Sequence, residues 1–351
     1  MKLLVLAGDG IGPEIMASSL HVLETVDKKL DLGLQFTHRD VGLKAIAAQG
    51  TSLPGDILPL AWEMDGTLLG PMSNMQYPPR DQGGVNFSAA FRIGLDLYAN
   101  VRPARTRQGL PHRGTEMDLV IMRENTEGMY PDRNMVSGPA EFMPVDGVAI
   151  SMRKITQKAC ERIARRSFEL ARKRSGKVTA VHKANAFQMT DGLFLNTVRA
   201  VAKDFPDVAL DDVLIDAMAA LLVRDASRYD VICTTNFYGD TLSDLASELS
   251  GSLGLAGSLN AGDDHAAAQA QHGSAPDIAG QDKANPISMI LSCAMLLDWH
   301  GQRTGAEKFV RAAELIEATI DKALENPQTR TADLGGTLGT SAFTKAIIER
   351  L

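Results

Sequence analysis

Short apolar runs alternate with segments of helical periodicity along most of this chain. Parallel strands need a crossover connection, usually a helix, so the alternation predicts an α/β fold with substantial parallel sheet. Near the N-terminus, Leu3–Ala7 is predicted to be a buried strand, and Pro13 stands where the first helix begins. The other clear strand candidates are Leu119–Met122, Val178–Val181, Val213–Ile215 and Val231–Cys233.

Polar side chains follow each of these four later runs. They are Arg123, then His182 with Lys183, then Asp216, and finally Thr234, Thr235 and Asn236. The middle of a strand buried on both faces does not accommodate such groups. Its C-terminal end opens into the crevice where α/β proteins bind ligands. The sequence therefore predicts that four strands deliver polar groups to one edge of a sheet.

Two acidic residues, Asp240 and Asp244, lie four apart in a predicted helix and so share one face. Taken alone, Asp240 could be a simple helix cap following Gly239. Asp216 at the end of a neighbouring strand strengthens the pattern, because three carboxylates at one edge form a hard oxygen site. Such a site suits Mg²⁺ or Mn²⁺.

Three arginines and a lysine complete this candidate site. Arg92, Arg102 and Arg123 would bind a small polycarboxylate through paired hydrogen bonds, although each alone could be an ordinary salt-bridged residue. Lys183 directly follows an apolar strand, where desolvation and a nearby divalent cation would lower its pKa. Lys183 and Tyr130 are then a candidate proton-transfer pair. The alternative is a lysine paired with a carboxylate at a subunit contact.

Two glycine-containing segments are candidates for binding a dinucleotide. The segment from His272 to Gly280 has small residues, which let a ligand approach the backbone, and Asp277, which could accept ribose hydroxyls and repel a 2′-phosphate. The segment Gly8–Gly12 lacks the G-x-G-x-x-G spacing and an acidic residue at the right distance on a second strand, so no Rossmann site is predicted there. The whole region 249–280 is predicted to be irregular backbone.

Composition limits the partners and the compartment. The 351 residues suggest two domains, and the net charge of -7 argues against a broad nucleic-acid surface. Cys160, Cys233 and Cys293 are dispersed, as in buried thiols of a reducing compartment. No apolar run approaches the length of a membrane span. We expect a cytoplasmic protein with no nucleic-acid and no membrane partner.

Four stretches together carry a family resemblance: Asp96–Pro103, Arg123–Tyr130, Gly239–Asp244 and His272–Gly280. With Leu3–Gly12 at the start and Thr331–Gly336 near the end, the chain resembles the β-decarboxylating dehydrogenases over essentially its whole length. That family includes isocitrate, homoisocitrate, 3-isopropylmalate and tartrate/D-malate dehydrogenases.

The resemblance implies a two-domain, non-Rossmann isocitrate/isopropylmalate dehydrogenase-like α/β fold. Its large, cofactor-side domain would take both chain ends, 1–97 and 250–351. The inserted small domain, 98–249, would carry the dimer interface and an arm at about 131–147. The active sites of the homodimer would be shared, with Asp216 and Lys183 reaching across from the partner subunit.

The resemblance also implies residue roles and cofactors. Asp216, Asp240 and Asp244 would bind Mg²⁺ or Mn²⁺, and Arg92, Arg102 and Arg123 would hold the malate carboxylates. Tyr130 and Lys183 would be the catalytic acid/base pair. The NAD site would comprise His272, Gly273, Ser274, Ala275, Pro276, Asp277, Ile278 and Asn285. Asp277 with Ile278 resembles the NAD-using pattern, whereas NADP-using isocitrate enzymes often carry Lys and Tyr there.

Substrate choice depends on Asn86 and Ser88, which should face the C3 substituent. Isocitrate enzymes carry a Ser and an Asn at these positions, isopropylmalate enzymes carry leucines at Ser88 and Ala89, and homoisocitrate enzymes carry an extra Arg at Ala89. The polar pair favours isocitrate or a similarly polar malate. The alternatives are 3-isopropylmalate, homoisocitrate, tartrate and D-malate. The chain departs from the family at Gln269 and Ala270, where Glu and Pro are usual.

Two functions of other classes fit the sequence less well than an oxidative decarboxylase. A non-catalytic regulatory subunit would be expected to lack Lys183, Tyr130 or one of the three aspartates, and all are present. A metal-dependent hydrolase that uses no nicotinamide would leave the segment His272–Ile278 unexplained. The sequence therefore favours an active oxidative decarboxylase.

Overall fold

The computed structural model describes residues 1–130 and 140–351. Within them the chain divides into two compact units. Unit 1 is Met1–Leu95, Arg107–Pro111 and Gly251–Leu351, and unit 2 is Asp96–Thr106 and His112–Ser250. The sequence-based domain boundaries placed 107–111 in the inserted domain. The structure groups it with unit 1, where Arg107 forms ion pairs with Asp321 and Glu317.

Strands and helices alternate over much of the described chain. The strands are β1 (Lys2–Leu6), β2 (Gln35–Arg39), β3 (Gly66–Leu69), β4 (Ala99–Arg105), β5 (Asp118–Glu124), β6 (Glu141–Val145), β7 (Val148–Ser151), β8 (Lys177–His182), β9 (Ala209–Leu214), β10 (Val231–Thr234), β11 (Leu259–Ala261) and β12 (Ala266–Gln269). The helices are α1 (Gly12–Leu30), α2 (Leu43–Gln49), α3 (Ile57–Trp62), α4 (Phe87–Gly94), α5 (Gln157–Arg172), α6 (Thr190–Ala202), α7 (Ile215–Asp225), α8 (Asn236–Ser250), α9 (Ile287–Thr304), α10 (Glu307–Glu325) and α11 (Thr340–Ile348).

Unit 1 contains the strands β2-β1-β3-β12-β11 in that spatial order. β1 pairs in parallel with β2 and β3, β3 pairs in parallel with β12, and β11 and β12 are antiparallel. Leu3 to Leu6 are buried, as predicted for the first strand. Helix α9 packs against β12, α1 and α10, so it covers this part of the sheet.

The prediction of irregular backbone over 249–280 was wrong for two segments. Both β11 and β12 are fully buried there. The alanines of β12 give no β-branched or alternating signal, so the sequence does not resemble a strand. Their small side chains instead let the strand lie close beneath α9.

Unit 2 contains β4-β5-β10-β8-β9 in that order. The pairs β5–β10, β10–β8 and β8–β9 are parallel, and β4 is antiparallel to β5. Alternate residues of β5 face opposite cores. Val120 and Met122 pack in a cluster with residues of α5 and α6, and Leu119 and Ile121 pack in a cluster with residues of α7 and α8. A sheet covered on both faces explains the near-continuous apolar runs in the sequence.

The hairpin β6–β7 is exposed along its length. It overlaps the arm predicted at about 131–147, of which residues 131–139 lie outside the described part of the chain. Cys160, Cys233 and Cys293 are free and buried. Among the described residues, no helix combines the length and the apolar character that crossing a membrane requires.

Candidate active site

The four parallel strands of unit 2 end at one edge of the sheet, as the sequence predicted. Arg123 lies in the last part of β5, His182 ends β8, and Thr234 ends β10. Asp216 lies in the first turn of α7, just after β9. The same edge therefore receives the guanidinium, lysine and carboxylate groups that the sequence singled out.

Arg123 is 2% exposed and is held by helix α8. Its Nε donates to Asn236 Oδ1 at 2.8 Å, and its Nη1 is paired with Asp240. Gly239 permits this packing, because a Cβ there would lie 2.7 Å from Arg123 Cβ and Cγ. The helix that carries Asp240 can therefore lie directly against the end of β5.

Arg102 approaches the same helix from β4. Its Nη1 lies 3.0 Å from Asp240 Oδ1 and 3.7 Å from Asp244 Oδ1, and it donates to Ser243 Oγ at 2.7 Å. Burial, and then the charge of Arg123, lowers the pKa of Arg102 to about 10, although Asp240 and Asp244 oppose this shift. The two carboxylates thus converge on one buried cation, as expected for residues four apart on a helix.

Tyr130 joins the same group of side chains. Its hydroxyl donates to Asp240 Oδ2, and Arg123 Cζ lies 5.6 Å from the centre of its ring. We call Arg102, Arg123, Tyr130, Asp240 and Asp244 the Asp240 cluster. It brings together two predicted substrate-binding residues, one predicted catalytic residue and two predicted metal ligands.

Lys183 and Asp216 form a second group. Lys183 Nζ donates to Asp216 Oδ1 at 2.6 Å, and this hydrogen bond holds the pKa of Asp216 below its ordinary value. In the described part of the chain, no three acidic, His or Cys side chains are arranged to hold a metal ion. The three-aspartate metal site, with Asp216 supplied by a partner subunit, stays a prediction.

A buried ion pair supports the turn that carries Lys183. Asp191 is fully buried, accepts a hydrogen bond from Lys183 N at 2.6 Å, and lies 2.6 Å from Arg153 Nη2. His182 Nδ1 accepts from Ala184 N at 3.0 Å. Neither Arg153 nor Asp191 was predicted as a site residue, because neither belongs to a recognisable motif of the sequence.

Two glutamates shape the loop that leads to Tyr130. Glu124 Oε1 accepts from Thr126 N at 2.7 Å, and Glu127 Oε2 accepts from Thr156 N at 2.7 Å. Burial raises the pKa of Glu124. Although both lie in a stretch that carries the family resemblance, their observed role is to hold backbone.

The predicted contacts of the C3 substituent lie in unit 1. Asn86 caps α4, because its Oδ1 accepts from Ala89 N at 2.9 Å. Ser88 Oγ donates to Gln269 Oε1 at 2.9 Å, and Asn260 Nδ2 lies 3.4 Å from the same oxygen. Arg92 is buried on α4. Asn86 and Ser88 thus already have partners in their own unit, and their role towards a substrate stays a prediction.

The predicted cofactor segment also lies in unit 1. His272 Nδ1 is 2.9 Å from Gly273 O, and its buried Nε2 has no hydrogen-bond partner among the described residues. Burial lowers the pKa of His272, which favours the neutral ring. Asn285 donates to Asp333 Oδ2 at 2.9 Å and accepts from Ile287 N at 3.0 Å. The unpartnered buried nitrogen fits a site that a polar ligand completes.

Comparison with known proteins gives a consistent result. The family model described as isocitrate/isopropylmalate dehydrogenase matches residues 2–350. The isocitrate/homoisocitrate dehydrogenase of Thermus thermophilus is 43% identical, over 100% of this chain and 98% of its own length. The 3-isopropylmalate dehydrogenase of Archaeoglobus fulgidus is 39% identical, over 100% and 99%. The crystal structure of isocitrate dehydrogenase from Methylococcus capsulatus matches with a TM-score of 0.89 and 38% identity, covering 99% of this chain and 98% of that one.

Proposed function

Because this chain belongs to the isocitrate/isopropylmalate dehydrogenase family, we propose that it oxidises and decarboxylates a (2R)-malate with a polar C3 substituent, isocitrate being the leading candidate. Its family and its relatives are decarboxylating dehydrogenases, and this chain is therefore one as well. The observation that carries the proposed reaction is the Asp240 cluster. There, two buried guanidinium groups and a tyrosine hydroxyl converge on one carboxylate.

The donor set fits a divalent cation. Asp240 and Asp244 point oxygens at the same nitrogen of Arg102, and their side chains are 37% and 57% exposed. Partly exposed carboxylates that converge in this way suit Mg²⁺ or Mn²⁺, with Asp216 supplied by a second copy of the chain. When bound, the ion supplies Lewis-acid stabilisation of negative charge on the substrate oxygens.

Arg102 and Arg123 bind the carboxylates of the substrate, together with Arg92. Each guanidinium offers several donors in a fixed plane, which matches a carboxylate better than an ammonium does. Asp240 now accepts from both Arg102 and Arg123. A substrate carboxylate presents the same kind of acceptor, so the residues are already arranged for polyanion recognition.

Lys183 and Tyr130 move the protons. In its neutral amine form, Lys183 Nζ would take the proton of the C2 hydroxyl as C2 is oxidised, and bound NAD would supply the acceptor for the hydride. The C3 carboxyl group then departs as CO₂, and Tyr130 protonates C3. Lys183 pairs with Asp216, whereas Tyr130 contacts Asp240, and this division into two pairs supports a homodimer in which each active site takes one pair from each chain.

NAD is the proposed cofactor. Asp277 is exposed in a segment of small residues, where its carboxylate accepts ribose hydroxyls and repels a 2′-phosphate. The neutral His272 supplies a buried nitrogen for the adenosine end. The exposed carboxylate of Asp277 supports NAD over NADP, whereas His272 would serve the adenosine end of either cofactor.

The polar character of Asn86 and Ser88 supports a polar C3 substituent. Asn86 Oδ1 is used by the cap of α4, so its amide donors are the groups that would meet a third carboxylate. Leucines at such positions would instead favour the isopropyl group. Isocitrate satisfies this chemistry, and 3-isopropylmalate does not.

A substrate panel tests the proposal. The purified protein is assayed for NADH and CO₂ with NAD⁺ and Mn²⁺ on isocitrate, homoisocitrate, 3-isopropylmalate, D-malate and tartrate. Parallel reactions contain NADP⁺ in place of NAD⁺, or a chelator in place of Mn²⁺. We expect equal NADH and CO₂, with isocitrate or another polar substrate ahead of 3-isopropylmalate. The reverse ranking would contradict the role of Asn86 and Ser88, and no turnover with any substrate would favour a regulatory subunit.

A further inference from the structure

The carboxylate of Glu14 connects three separate parts of unit 1. Glu14 lies in the first turn of α1. Its Oε2 accepts a hydrogen bond from Gly280 N at 3.1 Å, and its Oε1 accepts from Thr340 Oγ1 at 2.5 Å and from Ala284 N at 3.4 Å. One side chain therefore links α1, the start of α11 and the chain that follows the cofactor segment.

The turn before α1 fastens the other end of that segment. Ile11 N donates to Ser274 O at 2.8 Å, and Ser73 Oγ bonds Ser274 Oγ at 2.8 Å. Gly10 has φ +57°, and a Cβ there would lie 2.0 Å from Ser274 O. Only glycine allows so close an approach in this conformation.

The middle of the segment is free of these attachments. Pro276 and Asp277 are exposed, between the two fastened ends at Ser274 and Gly280. Ala275 has a positive φ of 36°, a conformation that costs free energy and persists where the surrounding contacts hold it. The position of Asp277 thus depends on how firmly both ends are held, together with the hydrogen bond that Gln281 Nε2 donates to Asp277 O at 2.7 Å.

We propose that Glu14 is a positioning residue for NAD, which holds the Ser274–Gly280 segment in its binding conformation without touching the dinucleotide. This inference rests on the proposed function, since it takes that segment as the NAD site. In this proposal the Gly8–Gly12 turn and the start of α1 hold the NAD-binding segment, although the turn lacks the G-x-G-x-x-G spacing of a dinucleotide site. An ionised carboxylate suits the position because it accepts several hydrogen bonds and lies at a helix N-terminus.

The test compares Glu14→Ala and Glu14→Gln with two control variants, Glu24→Ala and Glu24→Gln. Glu24 lies on the exposed side of the same helix. The Kd of NAD⁺ is measured by calorimetry on the protein without substrate. The KM values of NAD⁺ and of the polycarboxylate are measured separately. Hydrogen exchange is followed at Gly280 and Ala284.

We expect Glu14→Ala to raise the Kd of NAD⁺ about tenfold, the effect of losing one or two charge-assisted hydrogen bonds. The KM of the polycarboxylate should change by less than about twofold, because the Asp240 cluster does not depend on these contacts. Exchange at Gly280 and Ala284 should accelerate. Glu14→Gln should fall between, since an amide keeps one accepting oxygen, and the Glu24 variants should match the wild type.

The outcomes separate this inference from the proposed function. Wild-type protein that binds no NAD⁺ would overturn the proposed cofactor and the inference with it. Wild-type binding with an unchanged Kd in the folded Glu14→Gln and Glu14→Ala variants would overturn the inference alone. If the Kd of NAD⁺ and the KM of the polycarboxylate rise equally, Glu14 stabilises unit 1 as a whole, and the inference is also overturned. If Glu14→Ala does not fold, Glu14→Gln decides, with a raised Kd and faster exchange at Gly280 supporting the inference.

Discussion

The two candidate binding regions are held together by different interactions. In unit 2, four of the five side chains of the Asp240 cluster are charged, and Arg102 and Arg123 are buried against the partly exposed carboxylate of Asp240. In unit 1, the Ser274–Gly280 segment is held at its ends by main-chain amides, a main-chain carbonyl, serine hydroxyls and one carboxylate. Unit 2 therefore concentrates charge, whereas unit 1 distributes weaker contacts along the backbone.

This difference predicts how strongly each region responds to the loss of a single contact. Removing one charge from a cluster of buried ionic groups leaves the other charges without partners, which is expensive in a poorly solvated site. Removing one contact from a distributed set leaves the others in place, so the loss is graded. Substitutions in unit 2 should therefore have larger effects than substitutions beside the cofactor segment.

The largest effect is expected for Asp240→Asn. The substitution removes a proposed metal ligand and the counter-charge of two guanidinium groups, so turnover should fall about 10³-fold or more, equivalent to about 4 kcal/mol in the barrier. Steady-state NADH formation measures the loss, and circular dichroism should show an intact fold. Glu248→Gln, exposed on the same helix, should retain turnover. Near-normal rates for Asp240→Asn would contradict the metal assignment.

The next largest effect is expected on stability, from Asp191→Asn. Asp191 is 0% exposed and its partner Arg153 is 11% exposed, so the substitution leaves a buried guanidinium unpaired. The free energy of unfolding should fall by about 3 kcal/mol. Asp211→Asn is the control, because Asp211 pairs with Lys177 while 44% exposed, and a loss below about 1 kcal/mol is expected. Urea unfolding measures both, and equal losses would refute the difference in burial as the cause.

The smallest effect is expected from pH in unit 1. Burial lowers the pKa of His300, whose ring packs edge-on against Phe309. In the unfolded chain the pKa of His300 is about 6.5, so the unfolded chain binds a proton at a pH where the folded protein does not. This contribution is complete above that pKa and is lost as the pH falls through it. His300→Phe should therefore reduce the difference between urea midpoints at about pH 7.5 and about pH 5.5.

The matched control for this pH effect is His21→Phe, at an exposed position on α1. An exposed histidine keeps its usual hydration in both states, so its removal should leave the pH difference as it is in the wild type. A pH difference unchanged by His300→Phe would mean that His300 does not contribute to it.

The sequence predicted unit 2 better than unit 1, for a physical reason. Arg123 and Asp216 are recognisable because a charged residue that directly follows an apolar run is expected to lie at the end of a buried strand. The contact between Ile11 and Ser274 joins main-chain atoms far apart in sequence, and no side chain records it. The Gly8–Gly12 turn was therefore dismissed for its spacing, although it supports the cofactor segment.

Two other features had no readable signal. The buried strand β12 is almost all alanine, a composition that favours no strand on its own. Asn86 looked like a substrate contact, and the structure gives it a helix-capping role as well. The burial of β12 is decided only when distant segments meet, whereas the cap of α4 is a local hydrogen bond between Asn86 and Ala89.

Subunit complementation tests the central claim most directly, namely that Asp240 of one chain works with Asp216 and Lys183 of another. Asp240→Asn and Asp216→Asn are prepared as separate homodimers, each expected to be inactive, and are then dissociated and reassembled together. Random reassembly makes half of the dimers hybrids with one intact site, so about a quarter of the wild-type activity should return. Recovery to that level is the result predicted here. Full dissociation and hybrid formation without any return of activity would contradict a site built from two chains.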